Sequence, residues 1–223
     1  MNSEQQLLWP TLASSQRAAK SSVKRCVDVV GTLLLLLMLL PILVTIAVLV
    51  RVSSAGPILF RQQRAGKDGA IFEMYKFRTM FSNSDPAIHQ AYSRDVINGE
   101  AKRIDGAFKL TRDPRVTPIG RFLRRSSLDE LPQLLNVLKG EMSLVGPRPP
   151  ILYEVELYTP RDYRRLCVTP GMTGLWQVSG RSELSFQQMI DLDLAYIESW
   201  SIWTDLQILL KTPVVVVTGR GAH

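Results

Sequence analysis

The sequence predicts an α+β protein, and three observations carry that reading. Residues 29–50 are almost entirely apolar, as a long hydrophobic helix requires. Residues 57–78 alternate apolar and polar side chains around a Gly-Lys-Asp-Gly turn, the pattern of a small hairpin. A second helical pattern, rich in leucine, ends near Gly140.

Composition narrows the chemistry. At 223 residues, with 46% hydrophobic and 21% charged side chains, the chain can bury a sizeable core. Its formal charge of +7 calls for an anionic partner: nucleic acid, anionic lipid or a phosphorylated substrate. Cys26 and Cys167 lie far apart without metal spacing, as expected in a reducing compartment. His89 and His223 are the only histidines, which disfavours a Ser-His-Asp triad, a histidine zinc site and a histidine nucleophile. Acid–base or nucleophilic work falls to Asp and Glu.

The apolar run, VVGTLLLLLMLLPILVTIAVLV, makes roughly 33 Å of helix, enough to span a bilayer. It is long for a signal peptide and no A-x-A-like cleavage site follows it. Arg17, Lys20, Lys24 and Arg25 precede it, and Arg51, Arg61, Arg64 and Lys67 follow it. Basic flanks on both sides place both ends on the cytoplasmic face. Pro41 interrupts the helix near its middle, leaving two arms of roughly 18 Å each. The expectation is a re-entrant helix that bends at Pro41, with the freed carbonyls covered by Thr45 or by neighbouring helices.

PILFRQQRAGKDGAIFEMYKFR, residues 57–78, reads as two short strands with a solvated basic face. A period of two would put Lys76 and Arg78 on one side of it. Residues 82–106 carry little pattern and read as a loop or weak helices.

SSLDELPQLLNVLKG, residues 126–140, then sets Asp129 beside Glu130 at an expected helix start. Ser127 and Glu130 have capping-box spacing, and Pro132 suits a first turn, so taken alone the stretch reads as a helix cap. After it comes GPRPP, where Arg148 stands between prolines and is presented at little entropic cost, suited to a phosphate oxygen pair. Taken alone, that too reads as a rigid exit loop. Gly171, Gly174 and Gly180, followed by Arg181, permit turns or a close backbone approach to a ligand. There is no P-loop or Rossmann glycine pattern. The C-terminal stretch carries Trp200 and Trp203, read as core or membrane-interface residues, and Lys211 and Pro213 break it before a second span.

In combination, KFRTM (76–80), SLDELPQLLNVLKGEMSLVGPRP (127–149) and PGMTGLWQVSGR (170–181) closely resemble the bacterial sugar transferases called monotopic phosphoglycosyl transferases. The resemblance runs from about Lys24 to the C-terminus, excepting 82–106, and includes the proline-centred apolar segment. Leu40 departs from it, since some members carry a serine before that proline. The resemblance implies a mainly helical α+β fold with amphipathic helices on the membrane: a tail over 1–23, a re-entrant helix over 24–52 and a cytoplasmic catalytic domain over 53–223. It implies transfer of a hexose 1-phosphate from a UDP-sugar to undecaprenyl phosphate, with release of UMP, at the cytoplasmic face of the bacterial inner membrane. It makes Asp129 the nucleophile and Glu130 an organiser of the site and of Mg²⁺. Arg148, between Pro147 and Pro149, contacts substrate phosphate. Lys76, Arg78 and Arg181 are expected to bind substrate, and Asp205 to join Asp129 and Glu130 at the metal.

Elementary chemistry agrees. A carboxylate attacking a diphosphate needs cations nearby, and an ionised aspartate needs no base to activate it. Hard oxygen ligands favour Mg²⁺ over zinc. The partners the resemblance implies are a UDP-sugar, undecaprenyl phosphate and membrane lipid, without nucleic acid; homo-oligomerisation is left open. A nucleic-acid binder or a non-catalytic protein for anionic lipid would explain the charge, but neither explains the acid pair, GPRP and KFRTM in one chain. A carboxylate glycosidase would release free sugar in place of UMP.

Overall fold

The structure, a computed structural model, describes residues 14–81, 87–101 and 115–218, with side chains described from Ser22 onward except those of 87–89. Most of the expected tail, and much of the patternless 82–106, lie outside the described residues. Within the latter, Ala87–Asn98 forms a helix, α2.

The first helix, α1 (Ser14–Ser53), starts well before Lys24 and keeps helical backbone through Pro41. Thr45 Oγ1 donates to the Pro41 carbonyl at 2.8 Å. The carbonyl that Pro41 leaves without its usual donor is that of Leu37, one turn earlier. Both halves of α1 dock on the same body. Near its start, Lys24 pairs with Asp205 at 2.6 Å, and Asp28 accepts from Ser143 Oγ at 2.9 Å and Leu144 N at 3.0 Å. Arg25 caps the C-terminal carbonyls of Val137 and Leu138 in α4 (Leu134–Lys139), where a cation also complements the helix dipole. At the other end, Ile46 and Val50 pack with Phe77 and Leu123. Between these anchors Leu33, Leu34, Leu37, Met38 and Leu40 are exposed, an apolar face that no described residue covers.

The hairpin forms where expected. Strands β1 (Leu59–Ala65) and β2 (Ile71–Phe77) pair antiparallel, with Phe60 opposite Lys76, around a 3₁₀ turn over Lys67–Gly69. Only part of its basic face is solvated: Arg61 and Lys67 are exposed, whereas Arg64 and Arg78 are buried and Lys76 is half-buried. Phe72, Met74 and Lys76 share the side of β2 that faces inward, because the 3₁₀ segment Leu128–Gln133 packs there and brings Glu130 to the ammonium. Asn136, fully buried in α4, accepts from Tyr75 N at 3.0 Å and donates to Glu73 O at 2.7 Å, so its amide fixes β2 just before Lys76.

The expected capping box is absent. Ser127 sits at φ 54°, in the left-handed region, and its side chain makes no capping bond. Glu130 turns instead toward two cations, a stronger attraction than one backbone amide offers. The acid pair therefore stands on a 3₁₀ turn that follows α3 (Pro118–Arg125), with Pro132 inside it, and α4 begins only at Leu134.

Two further strands, β3 (Ser143–Val145) and β4 (Gly171–Thr173), form a short parallel pair that flanks the GPRPP loop. The glycines of 171–174 serve backbone contact here. A Cβ at Gly171 would stand 2.0 Å from Gly146 N, and one at Gly174 would stand 2.4 Å from Gly146 O. Gly171→Ala should cost about 3 kcal/mol or more by overpacking rigid backbone. That is a fall in melting temperature of roughly 6–12 °C, read by thermal unfolding of the purified protein.

After a one-turn helix, α5 (Leu152–Val155), and the short α6 (Leu175–Ser179), the chain ends in α7 (Phe186–Glu198) and α8 (Ile202–Thr218). Pro213 does not break α8; it lies inside it. One side of α8 buries Asp205 and Ile208, while Trp203, Leu206, Leu210, Val214 and Val217 make an exposed apolar stripe at helical spacing. Trp200 is partly buried against the central core.

Candidate active site

Three elements converge on the acid pair: the end of β2 with Lys76, the 3₁₀ turn with Asp129 and Glu130, and the GPRPP loop with Arg148. Glu130 Oε1 accepts from Lys76 Nζ at 2.8 Å and from Arg148 Nη2 at 3.0 Å, while Arg148 Nη1 lies 3.5 Å from Oε2. One carboxylate is thus clamped by two cations, with Arg148 spanning both oxygens. Its neighbour is different. Asp129 is 7% exposed and accepts no hydrogen bond from any described residue.

Electrostatics separates the two acids. Burial pushes the Asp129 carboxyl up to about 6; the Lys76 charge opposes this and the negative Glu130 beside it adds to it. Burial also acts on Glu130, but Arg148 and Lys76 overcome it and hold that carboxyl far below the usual range. Burial in turn pushes the Lys76 ammonium down against the pull of Glu130, whereas Glu130 holds Arg148 up. Glu130 is a fixed, neutralised anion. Asp129 is one without a partner among the described residues, with charge to offer.

Arg181 belongs to the same electrostatic neighbourhood: its half-buried guanidinium feels both Glu130 and Arg148, and burial pushes its pKa down. Its backbone stands at φ 51°, an uncommon region for an arginine, and its Nε donates to the Gln177 carbonyl at 3.3 Å. Arg124 of α3, not singled out in the sequence, also bears on Asp129, and its Nε donates to Thr79 Oγ1 at 2.9 Å.

Two expected members are elsewhere. Arg78 is 5% exposed and spends its guanidinium on the carbonyls of Pro57, Val50 and Ser54 and on the Ser54 hydroxyl, tying the end of α1 to the strand. A residue just past a strand end is not bound to the strand's alternation, and three carbonyls suit a planar fork. Asp205 accepts from Lys24, from the Tyr196 hydroxyl at 2.7 Å and from Trp200 Nε1 at 3.1 Å, a polar knot between α1 and α8. It is not placed with Asp129 and Glu130. Among the described residues no three His, Cys, Asp or Glu side chains stand close enough to share a metal ion. The carboxylates that remain adjacent are Asp129 and Glu130. Two hard carboxylates fit Mg²⁺, which commonly completes its shell with water and substrate phosphate oxygens.

These elements make a small cationic site built around one free carboxylate, set beside an apolar helix. A family model described as bacterial sugar transferase matches residues 19–219. The chain belongs to that family. It is 42% identical over 201 residues to an undecaprenyl-phosphate galactose phosphotransferase of Salmonella typhimurium, covering 90% of this chain and 42% of that protein. It is 40% identical over 216 residues to a UDP-glucose:undecaprenyl-phosphate glucose-1-phosphate transferase of Caulobacter vibrioides, covering 93% and 74%. It is 39% identical over 215 residues to the exopolysaccharide production protein ExoY of Rhizobium meliloti, covering 96% and 94%. The chain therefore spans less than half of the first relative's length and nearly all of the last one's.

Proposed function

We propose that this chain transfers a sugar 1-phosphate from a UDP-sugar to undecaprenyl phosphate through a covalent intermediate on Asp129, as an initiating step of bacterial polysaccharide or glycoconjugate synthesis. The observation that carries the reading is the contrast within the acid pair: Glu130 is neutralised by Lys76 and Arg148, and Asp129 is left free. An Asp129 carboxylate oxygen attacks the phosphorus that bears the sugar. The bond from that phosphorus to the UMP oxygen breaks, and UMP departs with the electron pair. A phosphate oxygen of undecaprenyl phosphate then attacks the same phosphorus and displaces the carboxylate. The anomeric C–O bond is never broken, so the sugar's configuration is retained.

Lys76, Arg148 and Arg181 supply the positive charge that lets one anion approach another. Pro147 and Pro149 keep the Arg148 backbone from competing conformations. Asp129 and Glu130 would hold Mg²⁺ with the substrate's diphosphate; bound there, the ion neutralises phosphoryl charge. Chelation with EDTA is expected to abolish UMP release and added Mg²⁺ to restore it. Full rates in EDTA would remove the metal from this account.

The proposed membrane placement is supported by α1. Both of its halves are anchored to one body while its middle exposes leucines, over about 40 Å of helix from Lys24 to Val50. A helix that spanned a bilayer would separate those anchors to opposite faces. The re-entrant reading keeps both on the cytoplasmic face of the inner membrane, with the apolar stripe of α8 lying at the interface. UMP release from a panel of UDP-sugars, with and without undecaprenyl phosphate, tests the function. Absence of release from every sugar would favour a non-catalytic protein for anionic lipid.

A further inference from the structure

In the loop that carries Arg148, four consecutive carbonyls are each held by a donor from another part of the chain. Pro147 O accepts from Gly171 N at 2.8 Å and Pro150 O from Ala65 N at 3.0 Å. Arg148 O accepts from Arg165 Nη2 at 3.2 Å, and Pro149 O from Arg64 Nη1 at 2.9 Å. Pro147, Pro149 and Pro150 have no N–H, so the loop cannot brace itself with its own ladder. Its shape is set from outside.

Arg165 is the costly member of this set. It is 7% exposed, and its Nη2 also donates to Asp193 Oδ2 at 2.5 Å, while Nη1 donates to the Tyr158 hydroxyl at 2.7 Å. Asp193, on α7, is fully buried, and burial pushes its carboxyl up to about 6 despite the arginine. Asp193 Oδ1 and Arg165 Nε are both buried without a partner among the described residues. A buried ion pair with unsatisfied atoms is a poor stabilising device, and well-packed apolar side chains would serve stability at least as well. What the pair does achieve is to fix a guanidinium nitrogen at the Arg148 carbonyl.

We propose that Arg165, locked by Asp193, is a positioning residue for Arg148. It sets the backbone from which the Arg148 guanidinium reaches Glu130, and so the point at which positive charge meets the transferring phosphoryl group. Arg165 does not itself touch substrate. The inference rests on the proposed role of the Asp129 site.

The test pairs Arg165→Met with Asp193→Leu, removing both charges at similar volume. Arg165→Lys, which keeps the charge and loses the fork, is the second variant should the apolar pair fail to fold. With whichever of UDP-glucose and UDP-galactose the wild type uses, kcat is expected to fall about 10- to 100-fold, and KM to change far less, since misplacement acts on the transition state. In an Arg148→Ala background the same substitutions should cost under about twofold, because their route of action is already gone. A general structural defect would cost as much in both backgrounds, and that result overturns the proposal. A second arm is independent of turnover. In arginine-¹⁵N-labelled protein the guanidinium signal of Arg148 should move toward that of free arginine in the variant and stay in place in an Arg161→Ala control. An unchanged Arg148 signal overturns the proposal as well. Wild-type protein inactive on every UDP-sugar would instead count against the proposed function, with the spectrum still deciding the role of Arg165.

Discussion

Asp129→Asn protein should be inactive and, at pH 7.5, more heat-stable than the wild type. Loss of the charged nucleophile is expected to lower turnover by about 10⁴-fold or more. The stability gain comes from the same property. The folded-state pKa of Asp129 is raised to about 6, above its ordinary value of 3.8. The native state therefore binds the proton more tightly than the unfolded chain does. That advantage is complete below about pH 4 and is lost as pH rises to about 6; above that, an ionised, buried carboxylate burdens the fold. Asparagine has similar size and no charge, so it removes a burden of about 3 kcal/mol. Its melting temperature should exceed the wild type's by about 6–12 °C at pH 7.5, with the difference shrinking toward pH 4. A variant less stable than wild type at neutral pH would mean that Asp129 is held by attractions the structure does not contain.

Glu130→Gln should move stability the other way. Glu130 is the anion between Lys76 and Arg148, and its depressed pKa means it stabilises the fold throughout the neutral range. Its contribution is complete above its ordinary value of 4.5, declines as pH falls below it, and is gone once pH passes the depressed folded-state value. A neutral amide leaves two cations facing each other, at a cost of roughly 2 kcal/mol for a partly exposed cluster. Lys76 and Arg148 would also lose the fixed geometry in which they meet phosphate, and kcat should drop about 10²-fold. Two neighbouring acids would thus give opposite shifts in melting temperature and the same direction in activity. A capping role for the pair would instead make both variants near neutral in rate.

Much of the site could be read from residue order because its parts are short and local. Asp129 and Glu130 are adjacent, Arg148 is flanked by prolines, and Lys76 lies on a strand whose alternation is plain. The apolar helix and the hairpin were legible for the same reason: each is one uninterrupted pattern. What escaped depends on partners distant in sequence. Arg78 looked like a companion to Lys76 until the carbonyls at the end of α1 took its guanidinium. Asp205 looked like a metal ligand, but Lys24, 181 residues away, claims it. The capping box failed because Glu130 had two cations within reach, which no local spacing reports. Asn136 and Arg165 carried no signal of their own, one being an amide in a leucine-rich helix and the other one of several surface-like arginines. Their importance is visible only in the strand and the loop that they hold.

The central claim is that Asp129 takes the phosphosugar onto itself before the lipid phosphate arrives. Intact-protein mass spectrometry of the full chain, mixed with Mg²⁺ and its UDP-sugar in the absence of undecaprenyl phosphate, measures this directly. A mass increase of one sugar phosphate is expected, with up to one UMP released per active site and discharge of the adduct when undecaprenyl phosphate is added. Asp129→Asn protein should show neither adduct nor UMP. A wild type that gains no mass, and releases UMP only when the lipid phosphate is present, would contradict the covalent intermediate and point to direct transfer between the two substrates.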